Sequence, residues 1–128
     1  MPKSQRMRSR RRYIAVEIDN EQTVNGQDFY NAVYMNILRL FGEYGVSQIE
    51  PVLIEYDARM KRAILRCSHK GLDSAKAAIV AVTSIKNEKA AAHILLVSGT
   101  VKTLRKKIES LQKKTIIKNI SINNQRIL

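Results

Sequence analysis

The sequence predicts an α+β fold, specifically a ferredoxin-like βαββαβ sandwich with an extra C-terminal helix. Two observations indicate this class: short stretches in which apolar and polar residues alternate, and amphipathic segments with helical spacing between them. Their order, β-α-β-β-α-β-α, is that of the split βαβ arrangement followed by one more helix. We therefore expect one antiparallel sheet with two helices on one face, and a third helix docked elsewhere, for instance across the open face.

The first strand and the first helix have the clearest patterns. Period-two alternation of apolar residues predicts a strand over 12–18. Apolar residues at three- and four-residue spacing predict a helix over 27–44, with Gly45 as its C-cap. The residues expected on the buried face of this helix are Phe29, Val33, Ile37, Leu40, Phe41 and Tyr44.

A hairpin follows the first helix. Strands are predicted over 50–57 and 62–68, and the short connection between them favours a β-hairpin. Pro51 cannot donate a ladder hydrogen bond, so we expect it at the start of its strand or on a sheet edge.

The second half of the chain continues the pattern. A helix is predicted over 71–84, a strand over 93–97 and a third helix over 100–114. The tail over 115–128 contains several isoleucines without a clean period, so it is predicted as a short strand, a segment that packs on a partner, or a disordered end.

Charge gives the first indication of function. The 128 residues include 23 Lys and Arg against 11 Asp and Glu, for a net charge of +12. A charge of this size on a small domain indicates a polyanionic partner, with nucleic acid favoured over an acidic membrane surface. We predict a basic flexible arm over 1–11, one ferredoxin-like domain over 12–114 and a tail over 115–128.

Cellular location and catalysis are constrained by a few residues. Cys67 is the only cysteine, so an intramolecular disulfide is excluded and a reducing, cytoplasmic setting is expected, with no membrane association. His69 and His93 have no metal-binding motif around them, and no catalytic residues, metal site or bound cofactor are expected. Glu55 and Asp57 resemble a carboxylate pair for Mg²⁺, but a cross-strand salt bridge is the favoured interpretation.

Recognition of folded RNA by shape and phosphate contact fits the composition best. The predicted strand over 62–68 has no aromatic residue, and Tyr13 is the only candidate for base stacking on the first strand, so base-stacking, sequence-specific recognition is not expected. The segment from Ser98 to Lys102 joins a strand to a basic helix and is a candidate anion site. The full set of predicted RNA-binding residues is Arg8, Arg10, Arg11, Arg12, Arg59, Lys61, Arg62, Ser98, Gly99, Thr100, Lys102, Arg105, Lys106 and Lys113.

Five ordered motifs resemble one known family. They are Arg12-Tyr13-Ile14-Ala15-Val16-Glu17-Ile18, Leu40-Phe41-Gly42-Glu43-Tyr44-Gly45, Glu55-Tyr56-Asp57, Ala63-Ile64-Leu65-Arg66-Cys67 and Val97-Ser98-Gly99-Thr100-Val101-Lys102. Together they resemble the archaeal ribonuclease P protein component 2 family, over residues 12 to about 108. The arm and the tail fall outside this resemblance.

The resemblance implies a noncatalytic subunit of a ribonucleoprotein that removes the 5′ leader from precursor tRNA. The RNA subunit would hold the active-site Mg²⁺ and cut. The implied partners are ribonuclease P RNA, precursor tRNA through the complex, and a TIM-barrel-like ribonuclease P protein, with self-association of this chain in a heterotetramer. Leu53 and Ile64 or the tail are expected to supply apolar contact surface.

Two other functions stay open from the sequence. One is a general RNA-binding module of ferredoxin-like fold, for example a ribosome-associated one. The other is a small ligand-binding or enzymatic domain of the same fold, which the net charge of +12 disfavours.

Overall fold

The computed structural model describes residues 10–113. The predicted arm up to residue 9, with Arg8, and the predicted tail lie outside the described residues. The helices and strands, in chain order, are β1 (Arg11–Asp19), α1 (Gly26–Ile49), β2 (Val52–Asp57), β3 (Arg62–Ser68), α2 (Leu72–Val80), β4 (Ser84–Ile85), β5 (Glu88–Lys89), β6 (Ala91–Ser98) and α3, which is helical over 101–113.

The main sheet has four strands in the order β2-β3-β1-β6, and every pair is antiparallel. This order, with the first strand in the centre beside the hairpin strand β3, confirms the predicted ferredoxin-like class. Pro51 precedes β2, an edge strand, as expected. The structure adds a two-stranded hairpin of β4 and β5 that the sequence did not predict.

Helices α1 and α2 cover one face of the sheet and close the main hydrophobic core. Alternate residues of β1 and β3 enter this core, because successive side chains on a strand point to opposite faces. The largest side chains buried there include Phe29, Ile14, Ile18, Ile37, Ile49 and Ile79.

Helix α3 crosses the other face and closes a second, smaller core. Leu104 is fully buried against Ala15 and Ile64, the central residues of that face. Both edge strands, β2 and β6, contain a β-bulge next to these central residues. The bulge in β6 directs Leu95 and Leu96 toward α3, and the bulge in β2 directs Ile54 toward it. The bulges therefore widen the apolar row on which the helix rests, and the expected docking across the open face is confirmed.

Helix α1 differs from its prediction in its second half. Asn25 caps its start, its side-chain oxygen accepting a hydrogen bond from the backbone N–H of Gln27 at 2.7 Å. The helix is broken at Gly42, whose φ of 72° favours glycine, and it ends at Glu50 in a left-handed conformation. The predicted C-cap at Gly45 was therefore wrong.

Three residues that were expected on the buried face of α1 are exposed. Leu40, Phe41 and Tyr44 are 52%, 37% and 76% exposed. Leu40 and Phe41 precede the break at Gly42, so a change of helical phase there accounts only for Tyr44, while Ile49, beyond the break, returns to the core. We call Leu40, Phe41 and Tyr44 the distal α1 patch.

Helix α2 is shorter than predicted. It ends at Val80 with Ala81 as C-cap, whereas the sequence pattern continued to residue 84. Val82 is buried, as its apolar pattern indicated, but it enters the core from the connection that leads into β4. Periodicity identified the buried residue without showing that the helix had already ended.

Candidate RNA interface

The outer face of α3 carries lysines and points to solvent. The Thr100 hydroxyl caps the helix, accepting a hydrogen bond from the backbone N–H of Thr103 at 3.1 Å, so α3 starts immediately after β6. With Leu104 fixed against the sheet, the helical period leaves four exposed lysines: Lys102, Lys106, Lys107 and Lys113. Lys107 was not among the predicted RNA-binding residues, although its position at the edge of the apolar stripe of α3 indicated that it would be exposed.

Arg105 points to the side of α3 and is ion-paired. Its Nη2 lies 2.5 Å from Oε2 of Glu55 on β2, and both side chains are about half exposed. Glu55 does form a salt bridge, as predicted, but with the helix rather than across the sheet. Asp57 has a different role, its Oδ1 accepting hydrogen bonds from the backbone N–H groups of Arg59 and Met60 at 3.0 and 3.2 Å, which shapes the hairpin turn.

The loop from Ser98 to Thr100 lies beside the base of the predicted arm. Ser98 is buried and its Oγ accepts a hydrogen bond from the Thr100 N–H at 3.4 Å, whereas Gly99 is exposed. The Arg12 guanidinium is next to Gly99, 3.6 Å from the position a Cβ would take there. The structure thus brings Arg12 to the candidate anion site.

The hairpin residues form a separate cluster at the opposite end of the sheet. The Lys61 carbonyl accepts a hydrogen bond from Ile18 near the end of β1, whereas Ser98 pairs with Tyr13 near its start. Five residues of extended strand separate the two ends by roughly 17 Å. The predicted site residues are therefore divided between two clusters.

The cations of the hairpin cluster differ in their availability. Arg59 is exposed, while the Lys61 ammonium donates to the backbone carbonyl of Asn20. Arg62 Nε lies 3.3 Å from Oε2 of Glu17, its cross-strand partner. Of the three predicted residues, only Arg59 has a side chain without such a partner among residues 10–113.

The buried ionisable groups are structural. Burial raises the pKa of the Cys67 thiol to about 11, while the nearby Arg12 charge opposes that shift. Burial also raises the pKa values of Tyr30 and Tyr56. Within residues 10–113 no three His, Cys, Asp or Glu side chains are grouped to hold a metal ion, and no helix there is long and apolar enough to cross a membrane.

These features define a class: a small ferredoxin-like protein whose open sheet face is covered by a helix with a lysine-rich outer surface. Residues 12–109 match the sequence profile of the Rpp14/Pop5 family. The chain belongs to this family, and the resemblance found in the five motifs is confirmed.

Curated relatives come from archaea. The chain is 32% identical to ribonuclease P protein component 2 of Pyrococcus furiosus over 81% of this chain and 87% of that protein. It is 27% identical to the protein of the same name from Methanosarcina barkeri, over 94% of this chain and 87% of that one. A chain in the cryo-EM structure of yeast ribonuclease MRP has the same fold, with a TM-score of 0.61 at 15% identity, over 87% of this chain and 98% of that chain.

Proposed function

We propose that this chain is a noncatalytic protein subunit of ribonuclease P that binds and stabilises the catalytic RNA for removal of the 5′ leader from precursor tRNA. Family membership supports the assembly, since the archaeal relatives are named as ribonuclease P components. The single observation that carries the RNA contact is the lysine face of α3. Lys102, Lys106 and Lys113 share one exposed face that only Glu109 interrupts, and none of the three forms an ion pair among residues 10–113, so they are available to phosphates.

A subunit of this kind acts through charge. Lysines that neutralise phosphates release condensed counterions, and they lower the repulsion between RNA segments that must approach one another. The RNA then folds and binds substrate at a lower Mg²⁺ concentration. The Mg²⁺ ions that cut belong to the RNA in this proposal, and the protein contributes no catalytic group.

The distal α1 patch is the surface we assign to protein partners. Leu53 and Ile64, which the sequence suggested, are unsuited, because Leu53 packs on the main core and Ile64 is only 4% exposed beneath α3. Tyr44, in contrast, is 76% exposed at the break in α1. Clustered exposed apolar side chains of this kind mark contact sites, and the expected contacts are a TIM-barrel-like protein and a second copy of this chain.

Reconstitution tests the function directly. The chain is mixed with cognate ribonuclease P RNA and the TIM-barrel-like protein, and 5′ cleavage of precursor tRNA is measured at low Mg²⁺. We expect cleavage to require all three, and Lys102→Ala with Lys106→Ala to reduce it without unfolding the protein. Sedimentation of the same mixture tests the expected heterotetramer.

A matched control separates local contact from net charge. Lys86→Ala with Lys89→Ala removes the same charge from the β4–β5 hairpin, where Lys86 is 78% exposed and its Nζ lies 3.8 Å from Oδ2 of Asp28. This variant should leave cleavage near the wild-type level. RNA binding without any stimulation of cleavage would instead favour a general RNA-binding module.

A further inference from the structure

Four arginines lie on the α3 side of the sheet, Arg11, Arg62, Arg66 and Arg105, and two of them have an acidic partner among residues 10–113. Arg62 pairs with Glu17, and Arg105 pairs with Glu55. Arg66 forms no salt bridge within residues 10–113, and the sequence has no Asp or Glu outside that range. Its positive charge is therefore left for a ligand.

The Arg66 side chain is partly buried. Its Nε is buried without a hydrogen-bond partner among the described residues, whereas its two terminal nitrogens are not among the buried unpaired atoms.

Tyr13 is the cross-strand neighbour of Arg66. The two residues are register partners on β1 and β3, so their Cβ atoms are roughly 5 Å apart on the same face. Tyr13 lies half-buried at the margin of the second core, and Arg11 precedes it by two residues on that face. On its other side Tyr13 pairs with Ser98, which leads into Gly99 and the start of α3.

We propose that Tyr13 and Arg66 form a stacking site for one unpaired RNA nucleotide, with Arg11 contacting its phosphate. A phenol ring and a planar guanidinium side by side present the surfaces on which nucleobases stack. Helix α3 covers the centre of the sheet, so the site holds a single nucleotide at the end of the α3 lysine face. Unlike the lysine face, which contacts phosphates of any RNA, this site requires a base free of pairing.

The proposal rests on the proposed RNA-binding function and has its own test. The probe is a single-stranded oligouridylate of about eight nucleotides, a length within the site size of one small binding domain. Tyr13→Leu keeps apolar volume but removes the ring, and we expect it to weaken binding about tenfold. Tyr13→Phe keeps the ring and should bind like the wild type. Arg66→Gln should weaken binding as well, while the Tyr13 variants, which keep the charge of the protein, should bind a duplex RNA equally.

Fluorescence gives a second measurement that does not depend on affinity. The sequence has no tryptophan, so Tyr13→Trp introduces a single reporter, and stacking of uracil should quench its emission. Circular dichroism and thermal unfolding identify any variant that fails to fold. Equal affinities of folded Tyr13→Leu and Tyr13→Phe proteins, or absence of quenching when oligouridylate is bound, would overturn the stacking site.

The two proposals fail separately. Stimulated precursor-tRNA cleavage together with oligouridylate binding that is insensitive to Tyr13 removes the stacking site alone. Failed reconstitution together with a ring-dependent loss of oligouridylate binding removes the ribonuclease P assignment and leaves the stacking site in place.

Discussion

The two faces of the sheet are built differently. Helices α1 and α2 close a core of 18 buried residues on one face, whereas α3 closes one of three buried residues on the other. Hydrophobic stabilisation grows with apolar area removed from water, so most of the folding free energy comes from the first face. The smaller core on the second face is sufficient to hold α3 on the sheet.

Charge follows the same division. The inward side chains of β1 facing α1 and α2 are Ile14, Val16 and Ile18, while those facing α3 include Tyr13 and Glu17. A thin apolar row flanked by charged residues anchors a helix without excluding a polar ligand beside it. The comparison shows how one sheet divides stability and binding between its two faces.

Truncation of one buried side chain on each face tests most directly whether the two faces contribute differently to stability. Phe29→Ala should destabilise the protein by about 4 kcal/mol, and Leu104→Ala by about 2–3 kcal/mol. The larger difference lies in the kind of unfolding. Loss of Phe29 weakens the common core, whereas loss of Leu104 lets α3 detach while the sheet keeps its main core.

Denaturant unfolding gives the two free energies, and amide hydrogen exchange locates the loss. The Leu104→Ala protein should exchange rapidly over 101–113 while β1 and β3 stay protected. Equal loss of protection throughout the sheet would show that both faces form one cooperative unit, and the division proposed above would fail.

The fold could be predicted from sequence because its signals are local. Alternation fixed β1 and β3 to within one residue at each end. The period of α3 correctly placed Val101, Leu104 and Ile108 inward, but Leu111, expected on the same face, is 38% exposed. The strand and helix order then left the ferredoxin-like arrangement as the simplest antiparallel solution.

Other features depend on contacts that a local pattern cannot show. The distal α1 patch continues the helical spacing of Phe29 and Val33, yet its side chains are exposed in the folded chain. The pairing of Arg105 with Glu55 joins residues 50 positions apart. Composition identified the basic residues, but their division between two ends of the sheet follows from strand register.

The Cys67 thiol tests how tightly the main core is closed. Burial raises its pKa from 9.0 to about 11, so the folded state holds the proton more strongly than the unfolded chain does. The resulting stability is present below about pH 9 and is lost as pH rises toward 11. Denaturant unfolding of wild type and Cys67→Ala across this range should show a smaller pH-dependent loss in the variant.

Absolute stability is the wrong quantity for that comparison, because Cys67→Ala also leaves a small cavity. The slope against pH is diagnostic. The remaining slope belongs to groups such as Tyr30 and Tyr56, whose pKa values are raised by burial in the same direction. Identical slopes in the two proteins, or rapid thiol labelling of the folded wild type at pH 8, would contradict a closed core at this position.

The smallest expected effect concerns the Arg105–Glu55 pair on the other face. A double-mutant cycle with Arg105→Gln and Glu55→Gln should give a coupling of about 0.2–1 kcal/mol, because the two side chains are 54% and 44% exposed. The same substitution has a second consequence for RNA. Glu55→Gln releases Arg105, so duplex RNA should bind more tightly, and the slope of log K against log salt should steepen by about 0.9.

Glu88→Gln is the matched control, since Glu88 is an exposed acid on the β4–β5 hairpin and its loss changes the net charge equally. A gain seen for Glu55→Gln alone places Arg105 in contact with phosphate, held back by its acidic partner in the free protein. Equal gains in both variants would mean that the RNA senses only net charge. In that case Arg105 would serve to fix α3 on the sheet, and the lysines of its outer face would carry the contact.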